Sequence, residues 1–355
     1  MNALDFLKLL AAGCLLPAAS ACTSFSYYAQ SIHGQIEIIQ KRQPIGELLS
    51  GQALDQTLAA RLETALRLRN FASAELGLPD NGSYRYYADL EREYVVWNVF
   101  AAPELLLEPV QWCFLIAGCL NYRGYFSEAK ARQFARDLED RGYDVYVGGV
   151  VAYSTLGWFD DPVLNTMLRR DEIYLARVIF HELAHQKLYI GDDPEFNEAF
   201  ADTVAIAGVR RWLDYHDTDA PRQEFELELA REQAFVDLVM NYRERLESLY
   251  RSAMGEHQKR RMKSGLLEQM VADYRALRAN RPGMESYDHW FSGDLNNARL
   301  LAVATYRRYL PGFLKLLGEA GDRLESFYLL AEKLGDCTRE RRRHILVMGE
   351  TRFQC

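Results

Sequence analysis

Apolar positions recur at helical spacing over most of the chain. The longest such pattern runs from Arg222 to Arg278, a charged stretch nearly free of helix breakers. Leu227, Leu238, Val239, Tyr242, Leu246, Leu249 and Tyr250 share one period there, and Leu266, Leu267, Met270, Tyr274 and Leu277 share a second. The two periods predict a helical hairpin over about 220–280 that turns near Gly255. Within it, Lys259-Arg260-Arg261-Met262-Lys263 reads as a solvated basic face. Residues 27–76 read as mostly helical, broken at Pro44 and Gly46, with Leu58, Leu62, Ala65 and Leu66 as an apolar stripe. Ser127 caps a helix that ends near Gly142. The aromatic and β-branched runs Tyr94–Phe100 and Trp112–Ile116 predict strands, as does Tyr143–Tyr153 with Gly148 and Gly149 in its middle. Leu295-Asn296-Asn297-Ala298-Arg299 leads into a helix carrying Tyr306 and Tyr309. The expectation is an α+β fold, predominantly helical: a pair of chemistry-bearing helices beside a small β-sheet, with a long helical hairpin.

Three features of composition change this picture. Residues 1–21 read as a leader rather than as fold, because Lys8 precedes a short apolar stretch, Leu9 to Leu16, and small residues then lead to Cys22. The mature domain is then 22–355, with no later run long and apolar enough to cross a membrane. The net charge of −8 argues against a nucleic-acid partner, whose electrostatic footprint would be basic. Beyond Cys14 and Cys22, the cysteines fall into two pairs close in sequence, Cys113 with Cys119 and Cys337 with Cys355, which suits disulfides in an oxidising compartment, with buried thiols the alternative for Cys113 and Cys119 because Phe114-Leu115-Ile116-Ala117 between them is apolar.

The chemistry is concentrated in His181–Asp202. In His181-Glu182-Leu183-Ala184-His185 the two imidazoles are four residues apart, so a helix places both on one face within reach of one metal ion. Glu182 points about 100° round the helix and can reach a water on that ion without taking a coordination position. Catalytic zinc sites keep three protein ligands and leave one position open, so a third ligand is expected downstream. Gly191-Asp192-Asp193-Pro194 reads as a helix stop, a cap and a first-turn proline, after which Asn197-Glu198-Ala199-Phe200-Ala201-Asp202 returns on a second helix. Glu198 is the candidate third ligand. Asp202, one turn on, is placed to accept the outer N–H of a ligating histidine and fix its tautomer.

This His181-Glu182-x-x-His185 … Asn197-Glu198-x-x-Ala201-Asp202 pattern resembles that of the gluzincins, the thermolysin-like and aminopeptidase-like metalloproteases. The runs Val147–Pro162 and Cys119–Phe126 are similar to a family of bacterial lipoproteins described as predicted aminopeptidases, and the likeness extends from about Tyr27 to Leu317. Ala19-Ser20-Ala21-Cys22 resembles a bacterial lipobox, which makes Cys22 the lipidated N-terminus; a plain secretory cut after Ala21 is the alternative. Thr23, not an acidic residue, follows, which by analogy implies the outer membrane, facing the periplasm. The resemblance implies one Zn2+ per chain, held by His181, His185 and Glu198, with Glu182 as catalytic base and Asn197 and Asp202 supporting the ligands. In gluzincins an edge strand binds extended substrate. Tyr143–Tyr153 holds that place in the chain, making Gly148, Gly149 and Tyr153 candidate substrate contacts, against the alternative of a core strand with a bulge. Two departures stand out. Only residues 186–197 separate the second histidine from Glu198, and no Gly-x-Met-Glu-Asn run is present to hold a free amine.

The sequence thus points to a membrane-anchored zinc metallopeptidase, an aminopeptidase by resemblance, acting on peptide substrates. Its rivals are a zinc amidase for cell-wall material and a lipid-anchored binding or assembly protein with a structural or inactive metal site. An oxyanion donor is also required. His289, Arg299 and Tyr306 are the candidates, Tyr306 first.

Overall fold

The computed structural model describes residues 27–51, 54–114, 118–191, 193–216 and 219–355, except the side chains of 304–307. Helix α1 (27–41) leads through β1 (Gln43–Pro44) and α2 (Ile45–Ser50) to α3 (Gln56–Ala74). Asp55 caps α3 by accepting from the N–H groups of Thr57 and Leu58. A strand-rich stretch follows: β2 (Tyr86–Ala88), β3 (Val96–Pro103), β4 (Trp112–Phe114), β5 (Gly118–Leu120), β6 (Arg123–Tyr125), α4 (Glu128–Glu139), β7 (Tyr143–Val150) and β8 (Val163–Leu164). The remainder is helical: α5 (Glu172–Lys187), α6 (Pro194–Tyr215), α7 (Asp219–Arg251), α8 (Glu256–Asn280), α9 (Asp288–Ser292), α10 (Asn297–Arg307), α11 (Leu310–Glu319), α12 (Leu324–Gly335) and α13 (Arg339–Met348). The fold is a predominantly helical α+β arrangement with small sheets, as the sequence predicts.

The sheet nearest the candidate site is antiparallel with order β6–β3–β7. Strand β7 pairs with β3 along its whole length, Gly149 opposite Trp97 and Gly148 opposite Asn98, and forms one edge of this sheet. It ends at Val150, short of the predicted Tyr153, because the chain turns away there toward a tight loop. Strands β4 and β5 form a hairpin in which Cys113 and Cys119 face each other and are disulfide-bonded. Cys337 and Cys355 form the second disulfide.

Helix α6 is the centre of the fold. It is buried on nearly every side through its middle, where Ala199–Val209 is largely apolar all round. Phe196 packs edge-on against Phe313 of α11 at 5.0 Å, and Phe200 stacks on Phe327 of α12 at 5.7 Å. Its other side lies along α5. The predicted arm is present as α7 and α8, with Gly255 as the cap between them. Its core gathers Val239, Tyr242, Leu246, Met270 and Tyr274, with Tyr274 stacked on Phe291 at 3.8 Å. Two details differ from the sequence expectation. Leu227 is exposed, because α7 starts beyond the reach of α8. The basic run is not all solvated: Lys263 is buried, donating to Asp144 and to the Glu104 carbonyl, and Arg260 pairs with Glu104 at 2.8 Å. These contacts tie the arm to β3 and β7. Asn297, also fully buried, donates to the Pro103 and Glu104 carbonyls and accepts from Tyr250, which accounts structurally for the Leu295–Arg299 motif.

Candidate metal centre

Asp171 caps α5 at its start, and the helix ends at Lys187, with Leu188 already extended. The stop therefore comes before the expected Gly191, since the Asn197 side chain captures the chain first. Asn197 accepts from the Ile190 N–H and donates to the Ile190 carbonyl, both at 2.8 Å. This two-point clamp lets so short a connection reverse direction. Asp193 then caps α6 through the Phe196 N–H, with Pro194 in the first turn.

The tight return brings the third candidate ligand home. His181 Nε2 lies 3.1 Å from His185 Nε2 and 3.2 Å from Glu198 Oε2, and His185 Nε2 lies 3.8 Å from Glu198 Oε1. One ligand atom from each of the three lies within 4.8 Å of the others. Metal–ligand bonds near 2.1 Å in tetrahedral array would set the donors roughly 3.4 Å apart, so the observed spacings bracket what a bound zinc ion requires. His185 Nδ1 is buried with no hydrogen-bond partner among the described residues, so the polar contacts of its ring are made by Nε2.

Asp202 supports His181: its Oδ1 lies 3.1 Å from His181 Nδ1. Behind it, Arg177 Nη2 sits 3.9 Å from the same oxygen and 2.9 Å from Glu232 of α7. Arg177 precedes His181 by one helical turn, so the chain His181–Asp202–Arg177–Glu232 runs from the ligand face to the arm. If Asp202 fixes the ligand tautomer, Asp202→Asn should weaken metal affinity by about 10- to 100-fold. Titration of the metal-free protein against a chelating indicator would show it; an unchanged affinity would deny Asp202 that role.

The electrostatics follow from burial. For His181, burial disfavours the charged ring, but hydrogen bonds to Asp202 and Glu198 outweigh it and push the pKa up to about 10. His185, with burial dominant, is pushed down to about 4. Burial pushes the Glu182 carboxyl up to about 7; His181 opposes the rise, and Glu198 and Asp161 add to it. Asp161 is likewise raised by burial to about 6, even though it accepts from the Thr155 N–H and hydroxyl. Its folded value exceeds its unfolded value, so the stabilisation it lends is full below about pH 4 and is lost as pH rises through about 6. Two pKa units set an upper bound near 3 kcal/mol. Melting curves across that interval should show a fall in stability that is flatter in Asp161→Asn than in the parent.

His181, Glu182, His185, Asn197 and Glu198 all line one cleft of about 350 Å³, together with the aromatic side chains Tyr122, Tyr153 and Tyr189. Gly148 and Gly149 lie outside it, along a neighbouring groove with Phe235, Tyr287 and Trp290. The Tyr94 ring stands 2.4 Å from where a Cβ on Gly149 would be, which gives that glycine a packing reason. Arg299 is also remote from the cleft lining. Its guanidinium lies over the rings of Tyr146 and Trp290 at 5.0 and 5.3 Å and donates to the His289 carbonyl. Tyr306 lies on α10, but its side chain falls outside the described residues, as does Cys22 altogether. Tyr122 is a cleft residue that sequence reasoning overlooks. Burial, then Glu198, Tyr189 and Glu182, raise its phenol, and its side chain lines the same cleft as the three ligand candidates. It sits in the turn after β5, and nothing local in the sequence marks it. Arg177 carried a readable signal, its one-turn spacing from His181.

The fold and site therefore define a protein with a two-histidine, one-glutamate cluster able to hold a metal ion, set in a cleft whose wall also carries Glu182. The family model described as "Putative aminopeptidase" matches residues 26–346, and the chain belongs to that family. No curated protein and no solved structure matches it.

Proposed function

We propose that the chain is a zinc-dependent metallopeptidase, most consistent with an aminopeptidase, anchored to the membrane through a lipidated Cys22 and facing the periplasm. The observation that carries the reading is the meeting of His181, His185 and Glu198 at ligand spacing, with Glu182 in the same cleft wall. When bound, a zinc ion would supply Lewis acidity toward the scissile carbonyl and a lowered pKa for water. Glu182, held near neutrality by its burial, would accept a proton from the attacking water and return it to the leaving amine. Asp202 would hold His181 in the tautomer that leaves Nε2 free. The aromatic cleft would bind an apolar side chain next to the scissile bond and exclude water.

The developing oxyanion needs a donor, and we assign that role to Tyr122, one of the phenols that line the cleft with the ligand cluster. Tyr122→Phe should lower kcat by about 100-fold and leave KM within a few-fold. An unchanged kcat would remove it from the mechanism.

The deciding experiment measures zinc per chain in the purified protein. It then assays peptides with free and with blocked N-termini, alongside cell-wall muropeptides. One zinc with cleavage confined to free N-termini supports the aminopeptidase. Cleavage of muropeptides alone, or no turnover with metal bound, overturns the peptidase reading.

A further inference from the structure

Two segments that line the cleft also carry uncovered apolar side chains. Tyr27 and Ser31 of α1 line the cleft from one side, and Tyr153, Ser154 and Leu156 from another. The segments are joined: Tyr153 packs edge-on against Phe126 at 5.3 Å, Gly34 of α1 lies against that same ring, and Arg42 donates to the Asp160 carbonyl. On α1, Tyr28, Ile32 and Ile36 follow one another at intervals of four, a single stripe about 12 Å long, and are 37, 60 and 44 % exposed. The exposed positions of α1 are Tyr28, Ala29, Ile32, His33, Ile36 and Gln40, with no Asp, Glu, Lys or Arg among them. In the loop, Trp158 and Phe159 are 72 and 50 % exposed.

The exposure of that loop is built rather than loose. Leu156 and Gly157 both adopt positive φ, at 55° and 82°, a strained choice for leucine. The Trp158 N–H donates to the Thr155 carbonyl, the Phe159 N–H to the Thr155 hydroxyl, and that hydroxyl to the buried Asp161 carboxylate. A held turn thus carries two large rings out into water. Single exposed apolar residues call for no explanation, but an exposed apolar stripe and a fixed Trp-Phe tip on two segments joined through Phe126 and Asp160 do.

We propose that this rim is a membrane-docking face: Tyr28, Ile32 and Ile36, with Trp158 and Phe159, enter the boundary between headgroups and acyl chains of a phospholipid bilayer, setting the cleft mouth at its surface. Aromatic and aliphatic side chains of this kind partition to that boundary. The choice of a bilayer as occupant rests on the anchored reading above. Cys22 lies five residues before α1, and five extended residues reach at most about 17 Å, so the stripe cannot be far from the lipid that holds Cys22. An anchor at Cys22 limits the distance of α1 from the bilayer; the apolar rim would set its orientation. Because the stripe is uncharged, the contact should be insensitive to salt.

The test uses the unlipidated chain from residue 23, which retains every buried apolar residue among the described residues, the first of them Ile38. Its co-sedimentation with vesicles of phosphatidylethanolamine and phosphatidylglycerol is compared with that of the variant Ile32→Ser, Ile36→Ser, Trp158→Ser, Phe159→Ser. All four positions are exposed, and thermal melting checks that the variant folds. The parent should bind vesicles, the variant about tenfold or more weaker. Parent binding should change less than about twofold between roughly 0.1 and 0.5 M salt. Absent vesicle binding by the parent, or equal binding by the variant, overturns the proposal. So does a parent that dimerises through this face and ignores vesicles, which would put a second copy there. The anchor is tested separately, by the mass of the N-terminal peptide in the full chain against Cys22→Ala. Unmodified Cys22 with vesicle binding intact would remove the anchor and leave the face.

Discussion

Glu182→Gln should lower peptide turnover by about a thousandfold or more while zinc content stays at that of the parent. Glutamine preserves the size and the burial of the side chain but cannot accept a proton from water. General base and acid catalysis together are worth about 10²- to 10⁴-fold. Glu182 would serve in both directions within one cycle, which puts the expected loss at the upper end. The carboxylate lies in the cleft wall and outside the ligand cluster, so its replacement should spare the metal. The measurement pairs steady-state kinetics with metal analysis on the same preparation. Turnover surviving in Glu182→Gln would assign the proton transfer to another group, with Asp161, a buried carboxyl that influences Glu182, the first to test. Loss of zinc in the variant would instead make Glu182 part of the ligand set.

The sequence made the ligand helices legible because their chemistry is periodic. His181 and His185 are one turn apart, as are Glu198 and Asp202, and both pairs survive any choice of tertiary arrangement that brings α5 against α6. The arm was equally readable, since Val239, Tyr242, Leu246 and Tyr250 keep one helical face over many turns. What escaped depends on contacts between distant residues. Lys263 reads as a surface lysine until Asp144 and the Glu104 carbonyl are placed beside it. Tyr122 lies in a turn between short strands, and only the folded chain brings it into the cleft that His181, His185 and Glu198 also line. The stop of α5 at Leu188 is likewise set by Asn197, a residue after the turn it terminates. Asn297 is a further case: the run that leads into α10 carries no mark of its role, which is to join α10, α7 and the end of β3 by hydrogen bonds.

Arg342→Met should destabilise the whole protein by about 3–5 kcal/mol, from a position well outside the cleft lining. Arg342 Nε donates to Asp193 Oδ2 at 2.8 Å, and both side chains are buried, 8 and 1 % exposed. Asp193 also caps α6 at the turn that carries Glu198 back to the histidines. Arg342 further donates to the Cys337 carbonyl at 2.7 Å and the Gly335 carbonyl at 3.1 Å, so it closes the end of α12 as well. Methionine fills similar space but leaves the aspartate buried and unpaired, which costs far more than the pair itself contributes. At about 2 °C per kcal/mol for a chain of this size, the melting midpoint should fall by roughly 5–10 °C. The double variant Arg342→Met, Asp193→Asn separates the causes. If the uncompensated charge is responsible, asparagine restores much of the midpoint, because it keeps the cap and removes the charge. If the double variant melts as low as the single one, the loss lies in the carbonyl bonds of α12. A midpoint within 2 °C of the parent in the single variant would show that water reaches Asp193 and that the turn between the ligand helices does not depend on α13.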